Sequence, residues 1–91
     1  MLYALTCEDK PSSEALRKSI RASHLAYIKN FNVRFAGPLL ADDEVTMIGS
    51  LIVLESADRA AVDAFAAADP YAQAGLFRSV TIRPFKLAIG A

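Results

Sequence analysis

Two residues of this 91-residue chain have the most to offer chemically: His24, its single imidazole, and Asp69, an aspartate set directly before Pro70. An imidazole held on one nitrogen by a carboxylate has a fixed tautomer and a more basic second nitrogen, which suits general acid–base catalysis. Each residue also has a structural explanation. His24 is explained as a group at the core margin satisfied by one hydrogen bond, and aspartate before proline as an N-cap for a short helical turn. Helix margin and helix end can both sit over one end of a sheet, so a contact between the two is open to them but not proved by their spacing.

The remaining candidates are weaker. In Gly49-Ser50 the glycine admits close backbone approach and the hydroxyl can hold a ligand oxygen, although a turn at a strand entry explains the pair equally well. Arg21 suits a substrate carboxylate, or the solvated face of a helix. Tyr71 and Phe77 suit a pocket wall or a core. Cys7 is the lone cysteine, so no disulfide can form within the chain; it reads as a small buried hydrophobe in a reducing compartment. No CxxC or HxxxH spacing is present, so no metal site is expected. Neither a nucleophile elbow nor a phosphate-binding glycine loop occurs, and no cofactor is expected.

The elements that must position these residues follow from pattern. Leu2 to Cys7 is an apolar run of strand formers, read as a buried first strand. Pro11-Ser12-Ser13-Glu14 offers a helix start. Leu16, Ile20, Tyr27 and Phe31 then mark an apolar stripe on a long helix ending near Asn30 to Asn32, with His24 roughly 50° from the stripe's centre at 100° per residue. Val33 to Leu40 reads as a strand that Gly37-Pro38 assigns to an edge. Ala41 to Glu44 is a polar turn, and Thr46 to Glu55 a central strand, apolar at every position from Leu51 to Leu54. Ser56 is placed to cap a second helix with Ala61, Val62 and Phe65 on its core face. That helix should stop at Ala68 or Asp69, before Pro70. Asp69-Pro70 can start a short turn closed by Gly75, and Leu76 to Ile89 holds a last strand that Pro84 places at an edge.

Strand, helix, strand, strand, helix, strand is the split βαβ order of ferredoxin-like α+β folds: a four-stranded antiparallel sheet with two helices on one face, in a single domain spanning residues 1–91. Two helices cover one face only, while the central strands are apolar on both. A second copy of the chain is the expected cover, giving a homodimer, with assembly beyond the dimer left open. Ten basic residues balance ten acidic ones without long runs of one sign, which argues against nucleic acid as a partner. No stretch approaches the ~20 apolar residues of a membrane span, and the N-terminus lacks a signal-peptide pattern, so a cytoplasmic protein is expected.

Arg21-x-x-His24-Leu25, Ala36-Gly37-Pro38, Gly49-Ser50, Ala68-Asp69-Pro70-Tyr71, Ala74-Gly75 and Arg83-Pro84-Phe85-Lys86 run in order through the chain, and in that order they resemble the YciI-like family. The resemblance implies a dimeric α+β barrel related to muconolactone isomerases, with catalytic His and Asp at His24 and Asp69. It also implies chemistry of the kind that removes hydrogen chloride from a chlorinated hydroxyquinol. The Ala41 to Met47 segment is shorter than in the members the chain most resembles, so the substrate is not carried over. The resulting expectation is a cofactor-independent small-molecule lyase or isomerase working by proton transfer through a His-Asp dyad, with Ser50, Arg21 and Tyr71 as substrate-binding residues. The alternative is a non-catalytic dimer that binds a small ligand or acts as a regulatory partner.

Overall fold

The computed structural model describes residues 1–90. Four strands, β1 (Leu2–Asp9), β2 (Val33–Leu40), β3 (Met47–Glu55) and β4 (Phe77–Phe85), and three helices, α1 (Glu14–Ile28), α2 (Arg59–Ala68) and α3 (Pro70–Gln73), alternate along the chain. The sheet order is β2-β3-β1-β4 with every neighbouring pair antiparallel. This is the ferredoxin-like α+β arrangement. Pro38 and Pro84 lie on the edge strands β2 and β4, where a missing backbone donor costs no central ladder bond.

Strand alternation decides which side chains meet the helices. Tyr3, Leu5 and Cys7 of β1 are buried, and their partners across β3 are Leu54, Ile52 and Ser50. Ile28 from α1 and Val62 and Phe65 from α2 close over them to form the core. Thr6 and Glu8 point the other way and are exposed, so β1 alternates rather than being buried on both faces. No helix among the described residues is long and apolar enough to cross a membrane.

Expectations for α1, α2 and β4 need correction. The buried face of α1 is not the Leu16-Ile20-Tyr27-Phe31 stripe: Leu16 and Phe31 are exposed, and Arg17, His24 and Ile28 face inward. The helix is thus turned by roughly 70° from the hydropathy reading, which puts His24 near the middle of its buried face. Its α-helical part also stops at Ile28, because Asn30 and Phe31 turn back onto the carbonyls of Tyr27 and Ile28 at 3.1 Å each.

Second, Ser56 does not cap α2. Its N–H pairs with the Met1 carbonyl at 3.0 Å, which keeps it in the sheet's reach, and Asp58 caps instead by accepting from the Ala61 N–H at 2.8 Å. With the cap at Asp58, Val62 and Phe65 face the core but Ala61 is exposed. Third, β4 spans Phe77–Phe85 rather than running on to Ile89, because Phe85 already pairs with Leu2, the first residue of β1. α3 follows Asp69 directly and is closed by Gly75 at φ +73°, a left-handed turn suited to glycine.

Candidate functional site

α1 crosses the sheet with Arg17, His24 and Ile28 turned toward it, and α3 brings Asp69 and Tyr71 up to the same place. His24 Nδ1 lies 2.9 Å and 3.1 Å from the two carboxylate oxygens of Asp69. Both residues are buried. The same Oδ1 of Asp69 accepts the backbone N–H of Tyr71 at 2.9 Å, so the carboxylate caps α3 and holds the imidazole at once. The Tyr71 ring stacks on the imidazole, with centroids 4.0 Å apart and planes 16° from parallel.

These contacts set the tautomer. Nδ1 carries the proton given to Asp69, which leaves the Nε2 lone pair free. Every fully buried side-chain nitrogen or oxygen among the described residues has a hydrogen-bond partner, yet Nε2 has none within the protein, so it opens onto the adjoining pocket. That pocket holds about 110 Å³ between α1, β2 and β3. Leu25, Ile28 and Ile52 give it an apolar floor, and Ala36, Gly37 and Pro38 of β2 form one wall.

Beside the imidazole stands a second buried polar group. Arg17, only 2% exposed, forks onto Asp9 with Nε to Oδ2 at 2.6 Å and Nη2 to Oδ1 at 2.9 Å. Its Nη2 also donates to Ser50 Oγ at 2.9 Å, and its guanidinium carbon lies 4.6 Å from the Tyr71 ring centroid. Burial opposes the Arg17 charge, but the hydrogen bonds and negative charge of Asp9 outweigh it and hold the guanidinium above its ordinary pKa. Burial raises the Tyr71 phenol, with Arg17 and Arg21 pulling the other way. Asp9 continues the alternation of β1, so it faces α1 on the same side of the sheet as Tyr3, Leu5 and Cys7, and the pairing of β1 with β4 slips by a residue beside it.

The residues anticipated for the site are distributed as follows. His24 and Asp69 meet. Ser50 and Tyr71 are buried and line the pocket, and Arg21 lines it while remaining exposed. Gly49 does give a close backbone approach, but the neighbour is the Cys7 carbonyl on β1, which any Cβ at this position would strike. Phe77 is no part of the pocket wall; it packs edge-on against Tyr71 from behind, at 5.8 Å and 76°. Cys7 is buried in the core, and desolvation, with the Asp69 charge adding to it, pushes its thiol up to about 12. The short Ala41 to Met47 turn, knotted by Asp43 accepting the N–H groups of Val45 and Thr46, lies away from the His24 pocket.

Arg17 and Asp9 were not anticipated. The one trace of Arg17 in the sequence is its position two turns before His24, which puts both on one helix face. The trace of Asp9 is its parity with Tyr3, Leu5 and Cys7, which puts it on the helix-facing side of β1.

A ferredoxin-like α+β domain with a His-Asp pair at the edge of a small pocket is the class that fold and site define. The YCII-related domain model matches residues 1–86, and the chain belongs to that family. It is 35% identical to Protein YciI of Escherichia coli O6:H1 over 95 aligned positions, covering 94% of this chain and 97% of the relative. An uncharacterized protein of Haemophilus influenzae is 32% identical over the same coverage. Among solved structures, the 5-chloro-2-hydroxyhydroquinone dehydrochlorinase TftG of Burkholderia phenoliruptrix, in complex with 2,5-dihydroxybenzoquinone, superposes with TM-score 0.88 at 30% identity, covering 97% of this chain and 96% of that one. An antibiotic biosynthesis monooxygenase shares the fold alone, with TM-score 0.60 at 13% identity.

Proposed function

We propose that the chain is a small-molecule lyase or isomerase that works by proton transfer, with His24 as the general base and Asp69 as the group that orients it. The observation that carries this reading is the way the imidazole is held: Asp69 on Nδ1, Tyr71 on its face, and Nε2 free toward the pocket. Nε2 takes a proton from the substrate, and the pair of electrons left behind moves into a carbonyl or ring π system. Asp69 stabilises the imidazolium that forms. In an elimination a leaving group such as chloride then departs with the electrons of its bond to carbon; in an isomerisation the proton returns at another atom. The similarity to a dehydrochlorinase favours elimination from a hydroxylated ring as the first chemistry to test.

The test is chloride release from 5-chloro-2-hydroxyhydroquinone, followed by a wider panel of phenols and lactones. His24→Asn should stay folded and lose turnover, since the amide cannot accept the proton. A folded His24→Asn protein with undiminished turnover would sink the assignment.

The capping of α3 by Asp69 favours a second reading, in which the pair is structural and the domain binds a small ligand without changing it. In that case the native protein turns over none of the panel, and ligand binding survives in His24→Asn.

The reading includes a second copy of the chain and a cytoplasmic setting, which a lone buried thiol suits. The sheet face turned away from the helices carries Phe35, Leu39 and Leu51, the last two half-buried, and Phe35 is 48% exposed. Burying this face against its copy would remove that apolar surface from water. Sedimentation should give a dimer, and Phe35→Glu should weaken it; a monomeric native protein overturns this part.

A further inference from the structure

Apart from the free Nε2 lone pair of His24, the pocket presents hydrogen-bond donors and no carboxylate. Its polar lining consists of the guanidinium groups of Arg17 and Arg21, the hydroxyls of Ser50 and Tyr71, and the imidazole. The two acidic side chains nearby are already engaged, Asp9 by Arg17 and Asp69 by His24 and the Tyr71 N–H. Arg17 therefore has its counter-charge inside the protein. Arg21 does not: it makes no ion pair among the described residues, and it stands exposed at the pocket rim. Ser50 adds a directed donor. Its Oγ accepts from Arg17, which leaves the hydroxyl proton to be given to something in the pocket.

We infer that the ligand of this pocket carries an anionic oxygen, a carboxylate or an ionised hydroxyl, and that Arg21 is the residue that selects for it. An unpaired guanidinium beside an apolar pocket favours an anion through charge-assisted hydrogen bonds while the floor takes the carbon skeleton. Size narrows the class further. A cavity of about 150 Å³ holds one benzene ring, and this pocket holds about 110 Å³, so the ligand is a single ring or a skeleton of similar size, partly exposed on the Arg21 side. The inference rests on the proposed reading of the pocket as the reacting site, and it deepens that reading by naming the ligand's charge and size.

The experiment is an NMR titration of the whole protein with benzoate and with benzyl alcohol, a neutral probe of nearly the same shape. Benzoate should shift the His24 and Ile52 resonances at millimolar concentration, and benzyl alcohol should bind at least about tenfold more weakly. Arg21→Gln should remove that preference, and Arg21→Lys, which keeps the charge, should restore most of it. Equal binding of the two probes, absence of benzoate binding, or an Arg21→Gln protein with the preference intact would each overturn the inference. Because binding is read without turnover, the two proposals fail separately. A His24→Asn protein that turns over substrate but binds benzoate through Arg21 rejects the general base and keeps the anion site, and the opposite pattern does the reverse.

Discussion

Asp69 and Tyr71, two positions apart, grip the same imidazole from two sides: the carboxylate meets Nδ1 at 2.9 Å and the phenol ring lies 4.0 Å from the ring of His24. The Asp69 oxygen that holds His24 also accepts the Tyr71 N–H, so the start of α3 is the device that sets the distance between the two contacts. A four-residue helix has little stability of its own. Here it serves to hold a carboxylate and an aromatic face in fixed relation to a side chain on α1.

The tautomer of His24 should depend on Asp69. In the native protein, nitrogen-15 NMR of the neutral imidazole should show the proton on Nδ1. Asp69→Ala removes the acceptor, and the proton should move largely to Nε2. An unchanged tautomer in that variant would mean that some other group orients the ring.

Asp69 should also matter for stability, and two variants separate its two duties. Asp69→Ala loses the cap, a cost of about 0.5–2 kcal/mol, and leaves the buried Nδ1 without a hydrogen-bond partner, which costs about 1–3 kcal/mol more. Asp69→Asn keeps an oxygen for both hydrogen bonds and should retain most of the stability while losing the charge that supports an imidazolium. Urea denaturation checks the first statement and turnover the second. Equal destabilisation by the two variants would show that the charge, rather than the hydrogen bonds, holds this corner together.

The uneven legibility of the sequence has a physical pattern. β2 spans Val33–Leu40 as read, both prolines fall on edges, and Asp69-Pro70 opens a short helix, because each is governed by local backbone chemistry. The buried face of α1 is displaced from the hydropathy reading because hydropathy turns Arg17 outward and leaves His24 at the core margin, whereas Asp9 and Asp69 satisfy both inside. A buried polar cluster inverts the amphipathic pattern of the helix that carries it. Half of the site was visible for the opposite reason: a lone histidine and an aspartate before proline are distinctive types wherever they fold. The partners that hold Arg17 come from three different elements, and no local pattern links them.

Arg17 should act as a positioning residue through its coupling to Asp9. Arg17→Met leaves the Asp9 carboxylate buried without its partner and should cost about 3–5 kcal/mol. Asp9→Leu should be costly for the same reason, whereas the double variant should recover much of the loss, since an apolar pair of similar volume can replace a buried ion pair. Denaturation of the four proteins in the cycle measures the coupling. If the double variant is folded but turns over poorly, with a weaker response in KM than in kcat, the pair is needed to place Ser50 and Tyr71 around the reacting group. Independent, additive losses would show that Arg17 and Asp9 do not act as a unit.

Cys7 should make the fold sensitive to alkali. Burial, with the Asp69 charge adding to it, raises the thiol from its ordinary value of 9.0 to about 12 in the folded protein. Between those values the unfolded chain gives up the thiol proton and the folded chain keeps it, so the unfolded state binds fewer protons and stability falls as pH rises. The slope is at most about 1.4 kcal/mol per pH unit from this group. The phenols of half-buried Tyr27 and buried Tyr71, also raised, act in the same direction. Denaturation between pH 8 and 11 should therefore show falling stability, and Cys7→Ala should lose part of that slope despite the small cavity it introduces. The same burial should leave the thiol inert to a disulfide reagent at pH 8 until the protein unfolds. Fast modification of the native protein, or an alkaline slope unaffected by Cys7→Ala, would show instead that the thiol is reached and ionised without unfolding.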